Sequence, residues 1–389
     1  MTRRCPACGS ADLDTLLTQE GVPAQSNVLF PTREEALNSP TGNIRLVACQ
    51  HCGFIANVDF DPTLAPASNY EASQAASARF REYARGLAQT WIERHGLRGQ
   101  AVLEIGCGSG DFIEWMVELG AGRGIGVDPL LGPERLAEST GQLSWVPEHY
   151  AARHLEPDVR AIVCRHTLEH IGPVQQFVSD IRASIPDGQQ VTLLFEVPDI
   201  DRILEEVAFW DVYYEHAAYF SVDSLRRLFE GCGFRVERID RVYDDQYLVL
   251  DATPAAANAE PAGNRAALDA GLRRAERFRG AYDSQIARLR HQFDDYAAAG
   301  KRVAVWGAGS KATAYLFALG AGSDAVACVV DINPQKQGMF IAGSGHPIVG
   351  PDDLAAYEPD IVIAMNSIYR DEIRRDLDAR GIDAELTTA

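Results

Sequence analysis

Positive charge is scarce in this sequence. Lys and Arg number 36 against 55 Asp and Glu, giving a formal net charge of −19 over 389 residues. No cluster of basic residues stands out, which argues against a nucleic-acid partner, because phosphate binding needs concentrated Lys and Arg. Long apolar runs are also missing. None approaches the roughly 18 residues of a membrane-spanning helix, and the opening MTRRCPACGS lacks the apolar core of a secretory signal. We therefore expect a cytoplasmic protein with no membrane association. Heptads and low-complexity tracts are absent too. What is present is an ordinary globular composition, 46% hydrophobic, and enough chain for two or three domains.

Eight cysteines occur, and four of them come as CxxC pairs, Cys5 with Cys8 and Cys49 with Cys52. The other four, Cys107, Cys164, Cys232 and Cys328, are scattered singly. In a reducing compartment, paired CxxC turns read as metal ligands rather than disulfides. Four thiolates fill the tetrahedral shell of zinc and leave no open position, so the metal expected here is structural. His51, inside the second pair, is an alternative ligand. These features set off a small zinc-binding module over residues 1–65.

Residues 66–252 alternate between strand and helix patterns, as in a parallel, doubly wound α/β sheet. REYARGLAQTWIERHG reads as a helix, and AVLEIGCGSGDF as a buried strand entering a glycine-rich turn. Glycines at 106, 108 and 110 let a ligand lie against the backbone. Such a turn also occurs in NAD sites. Two details favour S-adenosylmethionine (SAM). Glu104 precedes the first glycine, and GVDP places Asp128 at the end of the next strand, where a carboxylate can take both ribose hydroxyls. Glu104, Gly106, Gly108, Gly110 and Asp128 are the expected cofactor residues.

DATPAAANAEPAGN is a linker candidate, and residues 253–389 hold a long helix ended by Gly300 and a second Rossmann-like unit. Its turn, WGAGSKATAYL, either is structural or binds an anion such as a substrate phosphate through backbone N–H groups and Lys311. A second strand ends at Asp331.

Together the two CxxC pairs, LEIGCGSGDF, FWDVYYEHAAYFS, VWGAGSKA, DINPQKQG and HPI resemble the three-domain SAM-dependent sugar C-methyltransferases, over nearly the whole chain from Cys5 to about Pro347. The resemblance implies a zinc-binding N-terminal domain, a class I SAM-binding middle domain and a Rossmann-like C-terminal domain. It also implies a nucleotide-linked keto-deoxysugar as substrate, held in the cleft between the last two domains. It places catalytic positions on Tyr70, His170, Tyr213, Glu215 and His216. Two segments depart from the family pattern. YDDQYLVLDA stands where many members carry a His-Gly-Gly-Ser-like stretch, and GAGSKA replaces a Gly-Ala-Pro-Ala-Lys type of turn. Both fall on expected substrate-facing loops and leave the sugar open.

Methylating carbon requires removal of a proton beside a carbonyl and stabilisation of the enolate. His216 is the expected base and Glu215 the group that orients it or binds a sugar hydroxyl. Tyr213 and Tyr70 would position the substrate, and His170 would donate to the enolate oxygen. Glu169 and His166 are alternatives to His170. Tyr219 and Phe220 are assigned to the core. Glu196, at a strand end, Lys311 and Asp331 are expected substrate contacts. O- or N-methylation of another small metabolite, or a zinc-ribbon interaction protein using the SAM fold as scaffold, remain open as alternatives.

Overall fold

The computed structural model describes residues 3–64, 69–139, 141–255 and 265–389. Strands β1 (Leu13–Pro23), β2 (Thr41–Cys49) and β3 (Ile55–Asn57) form an antiparallel meander. Helix Ala78–Arg94 follows, capped by Ser77, whose Oγ accepts from Phe80 N. Its buried face, Ala84, Ala88, Trp91 and Ile92, has the spacing of an amphipathic helix laid on a sheet.

That sheet contains β4 (Ala101–Ile105), β5 (Arg123–Val127), β6 (Leu143–Val146), β7 (Val159–Arg165) and β8 (Thr192–Pro198), all parallel. A two-residue strand, β9 (Ala218–Tyr219), leaves the unit and pairs with β3 of the meander. β10 (Phe234–Val242) and β11 (Tyr247–Pro254) then complete a seven-stranded sheet in the order β10-β11-β8-β7-β4-β5-β6. β11 is antiparallel to both neighbours. β4 lies between β5 and β7, so the winding reverses there and opens a crevice at the carboxyl ends of the strands, the usual ligand position in such sheets.

The expected linker starts as structure. Asp251–Pro254 belong to β11, where Asp251 is buried against Trp91, Arg94 and His95. Residues 256–264 lie outside the described residues. Helix Arg265–Ala298 stops just before Gly300, which takes φ +65°. β12 (Val303–Trp306), β13 (Val326–Val330), β14 (Ile348–Val349), β15 (Ile361–Ala364) and β16 (Glu385–Thr388) form a second parallel sheet, ordered β14-β13-β12-β15-β16. The N-terminal module is not closed on itself. One core runs from Leu16 and Ile44 of the meander through Trp210 and Tyr214 to Val305 and Tyr315 of the last unit. No helix of the described residues is long and apolar enough to cross a membrane.

Candidate active site

The chain leaves β4 through Gly106 at φ +69° and enters helix Asp111–Glu118 from Gly110 at φ +86°. Close approach as well as conformation demands glycine here. A Cβ on Gly106 would lie 2.1 Å from Thr167 Oγ1, and one on Gly110 would lie 2.5 Å from the Trp145 ring. After β5, Asp128 accepts from Gly108 N at 2.9 Å and from Leu130 N at 2.8 Å, one bond to each oxygen. Each oxygen keeps a lone pair for a ligand hydroxyl. Glu104 is 2% exposed. Burial pushes its carboxyl up to about 8, against the pull of Arg165, and its Oε2 has no hydrogen-bond partner among the described residues. A buried acceptor left open beside a ribose-type acid suits the amino-acid end and the ribose of SAM.

Further titratable groups arrive from two other segments. β7 ends at Arg165, and His166 takes φ +48°, a strained conformation for a residue with a Cβ. The turn Leu168–His170 follows and carries Glu169 and His170 toward the same crevice. Tyr213, Glu215 and His216 come from the segment just before β9. One ligand-type atom from each of Glu169, His170 and His216 lies within 4.8 Å of the others. The His170 and His216 ring centroids are 5.2 Å apart, and Tyr213 packs on His216 at 4.1 Å.

His170 Nδ1 lies 2.8 Å from the Glu215 carbonyl oxygen. A carbonyl only accepts, so Nδ1 carries the proton and, in the neutral ring, Nε2 holds the lone pair. His216 is 5% exposed, and its Nδ1 has no hydrogen-bond partner among the described residues. Burial holds its pKa well below the usual imidazole range, and His170, His166 and Lys311 act in the same direction. Burial likewise raises Tyr213 and Tyr70, reinforced at Tyr213 by Asp211 and at Tyr70 by Glu215. Both phenols therefore remain hydrogen-bond donors.

The structure corrects one of the two parts expected of Glu215. Neither side-chain oxygen is bonded to His216: Oε1 accepts from Ser26 N at 2.6 Å and Ser26 Oγ at 2.5 Å, while Oε2 has no partner among the described residues and Glu215 lines the cavity. It is the backbone carbonyl of Glu215 that orients a histidine, and that histidine is His170. Ser26 Oγ also pairs with Ser310 Oγ at 2.7 Å. Glu215 is thus linked to the first turn of helix Ser310–Leu319 in the C-terminal unit.

Glu196 is a second correction. It is fully buried and does not face the crevice. Its Oε2 accepts from Arg165 Nε at 2.5 Å, and its Oε1 is held by Tyr83. Burial opposes its charge, yet the Arg165 guanidinium and His166 outweigh this and lower its pKa. It serves as an internal ion pair at the ends of β7 and β8.

On the C-terminal side, Asp331 follows β13 and accepts from Ala308 N and Asn333 N, both at 2.8 Å. Lys336 is buried beneath the loop, donating to Ala308 O at 3.0 Å and to Asn27 Oδ1 at 3.3 Å. Lys311 is paired with Asp211 at 2.8 Å, which Arg202 also holds at 2.7 Å. Tyr70, Asp128, His216, Lys311 and Asp331 all line one cavity of about 1800 Å³. The sequence reading missed Ser26, Asn27, Arg165 and Lys336. Lys336 lies within DINPQKQG, a stretch that had a signal, whereas Ser26 and Asn27 carry none.

Apart from this cavity, Cys5, Cys8, Cys49 and Cys52 converge, with sulfurs 3.7 Å apart for Cys5 and Cys52 and 3.6 Å for Cys8 and Cys49. Those separations are too long for a disulfide. They match the roughly 3.8 Å edge of a tetrahedron with Zn–S bonds of about 2.3 Å, so the donor set fits zinc. Gln175 N donates to Pro6 O at 3.3 Å. β9 begins two residues after His216, so the cysteine module braces the segments of both histidines.

The winding order, the glycine loop and the acid after β5 define a class I SAM-dependent methyltransferase. Two family models agree, a methyltransferase domain over residues 75–239 and a C-methyltransferase C-terminal domain over residues 263–383. The chain is thus similar to C-methyltransferases that combine these two parts. It is 29% identical over 391 residues to the C-methyltransferase NovU of Streptomyces niveus, covering 95% of this chain and 90% of that protein. Similar solved structures include a 1,6-didemethyltoxoflavin-N1-methyltransferase of Burkholderia thailandensis with bound S-adenosylhomocysteine. It is 19% identical, covers 47% of this chain and 83% of its own, and gives a TM-score of 0.36. Another is magnesium protoporphyrin IX methyltransferase of Synechocystis PCC 6803, at 14% identity, with 48% and 89% coverage and a TM-score of 0.35. Both similarities are confined to about half of this chain.

Proposed function

We propose that the protein methylates the carbon next to the ketone of a deoxysugar, most naturally a nucleotide-linked one, through an enolate. One observation carries this reading. A buried histidine with an open nitrogen, His216, its neighbour His170, two tyrosines held as donors and the cofactor loop all line the same cavity. Transfer to oxygen or nitrogen needs a base less strictly, because a hydroxyl or amine already carries a nucleophilic lone pair. Transfer to carbon needs both a base and a donor at the carbonyl oxygen.

Bound SAM supplies an electrophilic methyl group. Glu104, Gly106, Gly108, Gly110 and Asp128 hold it. His216 takes the proton from the substrate carbon, with His170 beside it. Tyr70 and Tyr213 donate to the developing enolate oxygen. The first turn of helix Ser310–Leu319, with Lys311 and Arg202, receives the anionic part of the substrate, and Asp331 binds its hydroxyls. A phosphate entering there competes with Asp211 for both cations. Cys5, Cys8, Cys49 and Cys52 hold a structural zinc. Elemental analysis should find one zinc per chain, and Cys8→Ser should lose metal and thermal stability together. Metal-free protein of full stability would refute the zinc site.

The function is tested by supplying SAM with a ¹³C-labelled methyl group and a nucleotide-linked keto-deoxysugar. The expected product shows the labelled methyl on carbon, resistant to hydrolysis. A methyl on oxygen would replace this reading by that of an O-methyltransferase.

A further inference from the structure

The catalytic reading leaves one buried charged group beside the histidines without a task. Glu169 is 2% exposed. Its Oε2 has no hydrogen-bond partner among the described residues, and no Lys or Arg among them pairs with it. Its Oε1 lies 3.7 Å from His166 Nδ1, beyond hydrogen-bond range. Yet a carboxylate oxygen of Glu169 stands within 4.8 Å of a ring nitrogen of both His170 and His216. An ion buried without matching donors costs several kcal/mol. Glu196, the neighbouring buried acid, shows the alternative, since both of its oxygens are taken up.

Three imidazoles, His166, His170 and His216, surround Glu169. The phenols of Tyr70 and Tyr213 also feel its charge, as does the Cys164 thiol behind it. Glu215 is the other buried acid nearby, and its Oε1 is committed to Ser26. Lys311 approaches the cluster from the C-terminal unit, already paired with Asp211. Of these groups, only the imidazoles gain positive charge during proton removal. Glu169 and Glu215 each keep one oxygen without a partner among the described residues, and it is Glu169 that clusters with the ring nitrogens of His170 and His216.

We propose that Glu169 is a positioning residue for the proton-removal step, its carboxylate facing the imidazole cation that forms when the carbon-bound proton reaches the His216–His170 pair. This rests on the enolate reading. In that step the C–H bond beside the ketone breaks, its electron pair enters the enolate, and the proton binds a ring nitrogen. The enolate carbon then takes the methyl group of SAM, and the electron pair of the broken C–S bond stays on sulfur. The ring keeps its charge until the proton leaves to solvent. Burial of His216 disfavours that cation, and a nearby anion offsets the penalty.

The test compares wild type, Glu169→Gln and Glu169→Asp as full chains. Three quantities are read: melting temperature, SAM affinity, and deuterium uptake beside the ketone in D₂O with S-adenosylhomocysteine in place of SAM. Glu169→Gln should melt at the same temperature or higher, because it removes a buried charge, and should bind SAM normally. Its uptake should fall roughly 10- to 100-fold, below the ~10²–10⁴ that the base itself supplies. The acid limb of its pH–rate profile should move to lower pH, since loss of an anion lowers the pKa of the base. Glu169→Asp should recover part of the rate. Wild-type uptake in Glu169→Gln would overturn the proposal, as would a lower melting temperature with an unmoved acid limb. No uptake in wild type would instead overturn the enolate reading, and this proposal with it.

Discussion

The two glycine turns of this molecule are built on one plan and put to different uses. In each, a parallel strand runs into glycines and then a helix, and an acid ends the next strand. Asp128 accepts from Gly108 N and from Leu130 N two residues on. Asp331 accepts from Ala308 N and from Asn333 N, again two residues on. The difference lies in what surrounds each turn. The first leaves Glu104 Oε2 open. The second is filled in by Lys336 below and by Ser26 and Asn27, which contact Ser310, from the N-terminal meander. A shared backbone device therefore does not imply a shared ligand. On the proposed reading the first turn holds the cofactor, and the second is wired through Ser26 to Glu215 and hence to the segment proposed as catalytic.

Substitutions that treat the two turns alike should separate them. The largest difference is expected from alanine at the first glycine of each. Gly106→Ala combines a positive φ with a clash against Thr167, costing roughly 2–5 kcal/mol in strain and overpacking. Gly307→Ala meets nothing closer than Met365 at 3.6 Å and should cost only the strain of its φ of +111°, about 1–3 kcal/mol. Denaturant titration of both variants measures the gap, and equal losses would mean that the first turn is no more tightly packed than the second.

The acids give the next contrast. Asp128→Ala should weaken SAM binding by about 1.5–3 kcal/mol, the scale of charged hydrogen bonds. Asp331→Ala should leave SAM affinity unchanged and raise the KM for the proposed sugar substrate. Calorimetry with SAM reads this directly. A loss of SAM binding on mutating Asp331, with none on mutating Asp128, would exchange the two assignments.

The smallest effect is a pH dependence confined to the catalytic segment. Burial holds the pKa of His216 below the ordinary imidazole range in the folded chain, so the unfolded chain takes up its proton first as pH falls. Below about pH 6.5 this residue should erode stability, by at most about 1.4 kcal/mol per pH unit. His216→Asn should flatten that part of the stability curve, and an unchanged slope would mean that His216 is not buried neutral.

Much of this arrangement was legible because its chemistry is local in sequence. Two CxxC pairs, LEIGCGSG followed by GVDP, and YYEH each concentrate their residue types in a short stretch. The doubly wound sheet followed from the same strand and helix alternation. What could not be read depends on segments far apart in the chain. Ser26 reaches Glu215 only because β3 recruits β9, and Lys336 finds Ala308 only once β12 and β13 are aligned. Glu196 was misread because strand ends in such sheets usually face ligands. Arg165 stands opposite it at the end of β7 and claims the carboxylate first. Glu215 was misread for a related reason. Adjacency to His216 suggested a pair, but Glu215 lies in a tight turn and its Oε1 is taken by Ser26, from a loop far away in the chain.

The most direct test of the account is hydrogen exchange without methyl transfer. The protein is given a nucleotide-linked keto-deoxysugar and S-adenosylhomocysteine in D₂O, and the carbon beside the ketone is followed by NMR. The account predicts that deuterium enters at that carbon in wild type. It also predicts that uptake falls by about 10²–10⁴ in His216→Asn while SAM affinity is kept. Methyl transfer to oxygen by wild type with no deuterium uptake would contradict it.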